Sequence, residues 1–515
     1  MEQNYNWLKP KGYIHLTGQL NVNEEKRELI IKVTNPNFIA KYAFYPLLHI
    51  IIKERKYKRI DPNSNIRKHS YKKNGKPERT RKNRPLHYAN HMDALIFGYY
   101  AELIQTQYEK RLAKHPFLSE CIIAYRKIPI KNDPEKKNKS TIHFSFEVFQ
   151  EIRKRCTENQ ECAVLAFDIK SFFPSLDHNL LKQEWCSLFE FDRMPPDHLN
   201  VFKAATRFSY FMLNDLRVKG RGFDEKRLAQ IRNNFGVIAL YESPKAFRDA
   251  IRNGDLKIHK YPFWNKETNK PIGIPQGLPV SATLANIYLY NFDLKVFDKV
   301  VTQYGGFYRR YSDDIIVICQ KERMDEINEF VSTAIRESKV EISKPKTEKF
   351  IFRKKNDSEK LQLLSTKITE HGDKKGLPLI YLGFQFDGSK ILIKSSNLSK
   401  FYRRMIYAVK RKAKRAKKIA NLKCSNKPVI FRRQLYKLYS SASLAKTKTH
   451  IRWKKLEPNP LGGYKLVTGK RVKSMRSNYF TYVKRASEIM NEPAILNQVK
   501  KHKKIFNDAI NKHLQ

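Results

Sequence analysis

The sequence predicts an α+β protein built from several packed subdomains. Three observations carry that expectation. The apolar run Ala163-Val164-Leu165-Ala166-Phe167 has the length of a buried strand and ends on Asp168. A strand–turn–strand pattern runs from Phe307 to Ile318, with Tyr311-Ser312-Asp313-Asp314 at its tip. Helical stripes of apolar residues occupy Ala94 to Leu112 and Ser399 to Lys423. At 515 residues and 41% hydrophobic content, the chain can bury more than one core.

Residues 1–52 form an N-terminal extension of short strand-like and helix-like pieces. Met1 to Pro10 has no apolar signal core, and Tyr42 to Ile52 is too short to span a bilayer, so it is expected to be a core element. From Lys53 to Arg84 the chain carries 14 Lys+Arg against 3 acids, with Pro62, Gly75 and Pro77 as breaks. That composition predicts loop rather than core: a phosphate-contacting loop, with a solvated linker as the competing reading. In Ala94 to Leu112 the apolar residues Leu95, Ile96, Tyr99, Tyr100, Leu103 and Ile104 fall on one helical face, which is expected to pack inward. Between Asp192 and Tyr261 a polar, charge-rich stretch suggests a helical insertion.

The charge is lopsided. The chain has 102 Lys+Arg and 50 Asp+Glu, a formal net charge of +52. Self-repulsion of that size weakens a compact state, and a polyanion relieves it; nucleic acid is the first candidate and an acidic membrane surface the weaker one. From Ser395 onward there are 32 Lys+Arg and only four acids, Glu457, Glu488, Glu492 and Asp508, so the last quarter holds more than half of the net charge. Ser399 to Lys423 contains eleven basic residues and no acid, around a stripe of Phe401, Ile406, Val409, Ala413 and Ala416. The six cysteines show neither zinc-type pairing nor a secreted disulfide pattern, which predicts buried thiols in a reducing, cytoplasmic setting.

Two adjacent carboxylates at a turn repel each other unless a cation neutralises them. One aspartate on a strand and a pair on a neighbouring hairpin can hold two Mg²⁺ ions, an arrangement suited to in-line attack of a hydroxyl on a phosphate. Between these acidic elements lies Gly273-Ile274-Pro275-Gln276-Gly277-Leu278-Pro279, a Gly/Pro loop opening a helix near Ser281. Glycine there permits close backbone approach to a base pair or sugar, although an ordinary helix-entry turn has the same composition. Lys344-Pro345-Lys346-Thr347 and Tyr381-Leu382-Gly383-Phe384 follow. In this order the segments resemble palm motifs A to E of reverse transcriptases. Arg84-Pro85-Leu86, His91-Met92-Asp93-Ala94 and Ala124-Tyr125-Arg126 resemble their fingers. The resemblance covers roughly residues 70 to 390.

That resemblance implies a right-hand polymerase: fingers at 53–143, a palm at 144–390 with an antiparallel sheet backed by helices and the insertion near 192–261, and a basic helical thumb at 391–515. It implies that Asp168, Asp313 and Asp314 are the catalytic metal ligands, with the Ile169 carbonyl completing one sphere, for two Mg²⁺ with Mn²⁺ able to stand in. It assigns Arg84, Lys76 and Lys346 to the triphosphate and Phe173 to the incoming sugar, where a ring excludes a 2′-hydroxyl. Gln276 and Gly277 also fall to the nucleotide site. Tyr311, Ser312, Tyr381, Leu382, Gly383 and Phe384 fall to primer and template. The implied partners are an RNA template, dNTPs and a DNA product, with no membrane.

The Phe172-Phe173-Pro174-Ser175 form of motif A most resembles stand-alone bacterial reverse transcriptases of the retron, abortive-infection and defence-associated groups. Those relatives imply antiphage defence, a structured noncoding RNA as template and scaffold, and a homo-oligomer. A group II intron maturase-like enzyme and a non-catalytic RNA-binding scaffold are the alternatives. The tail lacks the carboxylates of an RNase H site and the Cys/His cluster of an intron endonuclease. Tyr479 and Tyr482 are candidate priming hydroxyls, against the simpler expectation that they are core aromatics.

Overall fold

The apolar run ahead of Asp168 becomes the strand Glu161–Asp168, inside a six-stranded antiparallel sheet. From one edge the order is Lys374–Lys375, Leu363–Ile368, Glu348–Lys354, Glu161–Asp168, Asp314–Cys319 and Phe307–Tyr311. Side chains alternate across a strand, so a strand covered on both faces has no polar positions to alternate with. Ala163, Leu165 and Phe167 enter one core together with Ile315 and Val317. Cys162 and Val164 enter the other with Ile316, Ile318, Phe350 and Phe352. The first core is completed by the helices His91–Ala113, Ser281–Tyr288 and Met324–Glu337. The second is completed by the helix Thr141–Asn159, the small sheet Leu379–Tyr381, Phe384–Phe386 and Ile391–Ile393, and the helix Tyr479–Ile489.

This α+β architecture is given by a computed structural model that describes residues 5–55, 58–59, 67–68, 70–73, 76–135, 137–217, 223–355, 362–422, 427–440, 448–474 and 477–514. Among the described residues no helix is long and apolar enough to cross a membrane. Cys121, Cys156, Cys162 and Cys319 are buried free thiols.

Several elements differ from the sequence expectation. The strand Leu47–Arg55 crosses the expected boundary at residue 52. It pairs antiparallel with Arg81–Tyr88 and parallel with Tyr210–Met212. The extension is thus part of the body: Trp7, Leu29, Val33 and Ile39 lie in the first core. The basic stretch after Lys53 is not simply loop. It includes the ladders Lys58–Arg59 with Arg67–Lys68 and Ser70–Lys73 with Lys76–Arg79, because backbone pairing needs no apolar pattern. The insertion has the helices Pro196–Thr206, Glu225–Phe235 and Pro244–Arg252, but also contributes the strand Tyr210–Met212.

The basic helix spans Ser395–Leu422, and its buried stripe is Phe401, Met405, Val409, Ala413, Ala416 and Ala420. Met405 takes the buried place expected for Ile406, which is only partly covered. Downstream of it the C-terminal region is not helical throughout: Lys448–Pro458 and Tyr464–Ser474 form a two-stranded ribbon. Tyr479 and Tyr482 pack against the second core, with the Tyr479 ring stacked 4.1 Å from that of Phe401.

Candidate active site

The sheet register builds the acidic centre. Asp314 lies directly opposite Asp168 on the neighbouring strand and opposite Tyr311 across its own hairpin. The turn therefore consists of Ser312 and Asp313, and Ser312 adopts a left-handed φ of 61°. The Asp313 carbonyl accepts the Ile169 N–H at 3.1 Å, tying the turn to the end of the Asp168 strand. Past Asp168, Ser343 donates to the Asp168 carbonyl at 2.7 Å and Lys170 to the Glu341 carbonyl at 2.8 Å. That bridge leaves the Ile169 carbonyl out of the ladder.

Loss of hydration raises the Asp313 carboxyl, and the charge of Asp168 adds to the rise. The same loss, followed by repulsion from Asp313 and Asp168, pushes Asp314 up to about 6. Two raised carboxyls beside Asp168 are a hard-oxygen donor set that a divalent cation would relieve. Lys346 already neutralises part of the centre, its Nζ lying 2.5 Å from Asp168 Oδ2. Among the described residues no three His, Cys, Asp or Glu side chains converge closely enough to hold a metal ion, and Lys346 stands where one would neutralise Asp168. The donor chemistry suits Mg²⁺, and its binding would require Lys346 to leave Asp168.

Beneath the turn lies a buried network that sequence reasoning missed. Arg310 and Asp293 are both fully buried and paired twice, Nε to Oδ1 at 2.7 Å and Nη2 to Oδ2 at 2.6 Å. Tyr308 donates to Asp293 Oδ1 at 2.6 Å, and Arg310 Nη1 reaches the Ser312 carbonyl at 3.3 Å. The guanidinium thus holds the backbone of the acidic turn from below. Tyr125, quoted above only as part of a loose fingers match, lies at the same turn: its hydroxyl is 3.3 Å from Ser312 Oγ and its ring is 6.4 Å from that of Tyr311. No spacing in the sequence links residues 125 or 293 to the turn; side-chain bonds do, Asp293 from the helix Tyr290–Val296 through Arg310 and Tyr125 directly at Ser312.

The Gly/Pro loop is held on two sides. Ile274 N–H donates to the Phe173 carbonyl at 2.8 Å, and Gly273 N–H to Leu176 at 2.6 Å. On the other side, the Gln276 carbonyl accepts from the His87 N–H at 2.8 Å. Gly277 has φ +114°, and a Cβ there would meet the His87 carbonyl at 2.5 Å. This close approach is to protein backbone, so the glycine is required before any nucleotide is considered. Gly277→Ala is expected to lower unfolding stability by roughly 2–4 kcal/mol, read by urea denaturation, through strain and clash together.

Phe172 is buried, whereas Phe173, the next residue of the same short helix Phe172–Ser175, is half-buried. Arg84 is exposed and lies 3.5 Å from Glu54, which also accepts Lys400 from the basic helix. Lys76 opens the strand Lys76–Arg79, and its side chain lies outside the described residues. Tyr381 and Phe384 are buried in the second core, so only the turn Leu382-Gly383 between them is left partly open.

Next to the loop stands a group of buried imidazoles. His49 and His87 have ring centroids 4.5 Å apart, with Tyr210, Phe208 and Phe263 around His87 and His259 beyond Tyr210. Both ring nitrogens of His87 lack a partner. Burial pushes His87 down to about 3, with His49 adding to it, and burial likewise takes His15 to about 3 and His91 to about 4. These groups stay neutral when folded but protonate near 6.5 when unfolded. Their contribution is therefore fully present above pH 6.5 and is lost as pH falls toward 3, by about 1.4 kcal/mol per pH unit for each histidine. Urea midpoints measured from pH 7 to 4.5 are expected to fall steeply, and His87→Phe to flatten the slope.

Residues 244–386 match the family model described as reverse transcriptase (RNA-dependent DNA polymerase). The chain carries a reverse transcriptase domain. The match takes in the Gly/Pro loop, Asp313, Asp314, Lys346 and the Tyr381–Phe384 turn, and begins downstream of Asp168. No curated protein matches the sequence. Among solved structures, the chain is similar to apo telomerase of Candida tropicalis truncated from its C-terminal domain, at 10% identity and a TM-score of 0.37, over 62% of this chain and 53% of that one. The longer apo telomerase of the same organism gives 13% identity and a TM-score of 0.34, over 77% and 58%. Telomerase of Candida albicans in complex with a fragment of telomeric RNA gives 12% and 0.30, over 59% and 41%. The chain spans about half the length of these telomerases. Within the reverse transcriptase domain, Asp313 and Asp314 sit on the hairpin, while Asp168 is supplied by a strand from outside the matched residues.

Proposed function

We propose that the protein is an RNA-directed DNA polymerase whose chemistry is centred on Asp168, Asp313 and Asp314. The observation that carries this reading is the register placing Asp314 opposite Asp168, with Asp313 in the connecting turn of a reverse transcriptase domain. The three carboxylates would hold two Mg²⁺, which when bound activate a primer hydroxyl and stabilise the leaving pyrophosphate. Lys346, released from Asp168, is then positioned to meet phosphate charge, and Arg84 does the same from the fingers. Phe173, the less buried of its pair, supports discrimination against a 2′-hydroxyl. Tyr311, the Ser312 turn and the Leu382-Gly383 backbone support the primer end.

A tail of +28 (32 Lys+Arg less 4 acids) supports a resident structured RNA, and the Phe172-Phe173-Pro174-Ser175 form of motif A supports a role in antiphage defence. The decisive experiment is incorporation of labelled dNTP on an RNA template with Mg²⁺, comparing wild type with Asp168→Asn. Equal incorporation by the two overturns the metal assignment. Sequencing the RNA that copurifies separates a short noncoding RNA from intron RNA, and phage plating tests defence. One observation favours a second reading, a silent RNA-binding scaffold: Lys346 occupies Asp168 directly. RNA retention without any dNTP incorporation by the wild type would select it.

A further inference from the structure

The ribbon Lys448–Ser474 has no core of its own. Its two strands of eleven residues pair only with each other, and no described side chain between Ile451 and Val472 is buried. An isolated two-stranded hairpin is marginal in water, so a ribbon extending roughly 35 Å must be held at its ends. The described segments that flank it in sequence are tied to each other, Asn478 donating to the carbonyls of Lys437 and Ser440. Its tip is seated far away, on the insertion helix Glu225–Phe235. The Tyr464 ring lies over Gly236, the glycine that ends this helix, where a Cβ would meet the ring at 2.7 Å. Gly463 lies equally close to the Asn233 carbonyl, 2.6 Å from where its own Cβ would be. Two glycines in left-handed conformations, one on each partner, make the contact possible.

The insertion in turn is fixed to the N-terminal extension, whose strand Leu47–Arg55 runs on into the fingers: Phe211, Leu240 and Phe247 share a core with Leu16 and Leu48. Glu54 of the fingers separately accepts Lys400 from the basic helix. The C-terminal region therefore meets the fingers side at two places, and the ribbon arches between its base and the insertion. Its charge is one-sided: residues 448–474 hold eight Lys+Arg and one acid, Glu457. Lys455, Lys465, Lys470 and Arg471 are exposed, and Trp453, lying over Gly469, is 41% exposed.

We propose that the docked ribbon is a collar that holds an RNA–DNA duplex by its phosphates and slows its release. Such a duplex takes A-form geometry, whose deep, narrow major groove side chains cannot read. Exposed lysines on an arch suit backbone contact, which is independent of sequence and sensitive to salt. The role in synthesis rests on the polymerase reading; duplex binding does not.

The test uses the full chain and a fluorescent RNA–DNA hybrid, with single-stranded RNA of equal length in parallel. In the variant K455Q/K465Q/K470Q/R471Q, the slope of log affinity against log salt for the hybrid is expected to fall in magnitude by about 3.6, since each of the four lost phosphate contacts removes about 0.9. Tyr464→Ala, which unseats the tip but keeps the charges, is expected to raise the hybrid's dissociation rate severalfold with little change in slope. With a trap that limits synthesis to one binding event, both variants are expected to give products several times shorter, with the first nucleotide added at the wild-type rate. Unchanged slope and unchanged dissociation overturn the collar, as does an effect confined to single-stranded RNA. If the wild type incorporates no dNTP, the polymerase reading fails while the hybrid measurements still decide the collar.

Discussion

Replacing Asp313 and Asp314 together with alanine is expected to abolish dNTP incorporation while leaving the protein folded. Removing even an outer partner of a metal ligand costs about 10–100-fold, so losing two ligands sets a loss on the order of 10³-fold or more. The same change removes a repulsion rather than a support. Both carboxyls are raised, by lost hydration and by neighbouring carboxylates. Stability in urea is therefore expected to match or slightly exceed the wild type. The two readouts together separate a site from a scaffold: loss of synthesis with loss of folding would leave the carboxylates as structural. Synthesis that survives the double change would remove them from the chemistry altogether.

The second large effect is expected at Asp293. Asp293→Ala strands the Arg310 guanidinium, fully buried, without its bidentate partner and takes the acceptor from Tyr308. Breaking a buried pair from one side costs about 3–5 kcal/mol, because a charge is left without compensation. Removing both charges is a different matter. Asp293→Leu with Arg310→Met replaces the pair by apolar volume and is expected to recover most of that loss in urea denaturation. It cannot restore the Arg310 bond to the Ser312 carbonyl. The double variant should therefore fold yet add nucleotides more slowly, with primer–template affinity little changed. Normal turnover in it would show that the pair serves folding alone.

The acidic centre was legible because its signals are local. Asp168 ends an apolar run, and Asp313-Asp314 interrupts two others, so strand ends and turn can be read without a partner. The doubled core explains why the run is continuous: alternate residues of Glu161–Asp168 feed different clusters, and neither face asks for polarity. What could not be read depends on meetings between distant residues. Arg310 finds Asp293 across a buried space, and Tyr125 reaches Ser312 across 187 positions. Gly277 is constrained by the His87 carbonyl, a partner on the far-upstream strand Arg81–Tyr88. The strands between Lys58 and Arg79 were hidden for another reason: ladders made of backbone leave no mark on a pattern of charged side chains.

The strand bearing Asp168 also sets the timing of assembly. Its two neighbours begin at Asp314 and Glu348, so neither edge is satisfied by anything made before it or soon after. A ribosome working at ordinary rates needs roughly ten to forty seconds to travel from Asp168 to Lys354. Until Cys319 has been made the nascent chain holds an apolar strand with both edges open, and until Lys354 one edge still waits, the state most prone to wrong pairing. Whatever shields it, chaperone or polyanion drawn to the basic segments already made, acts before the acidic centre exists.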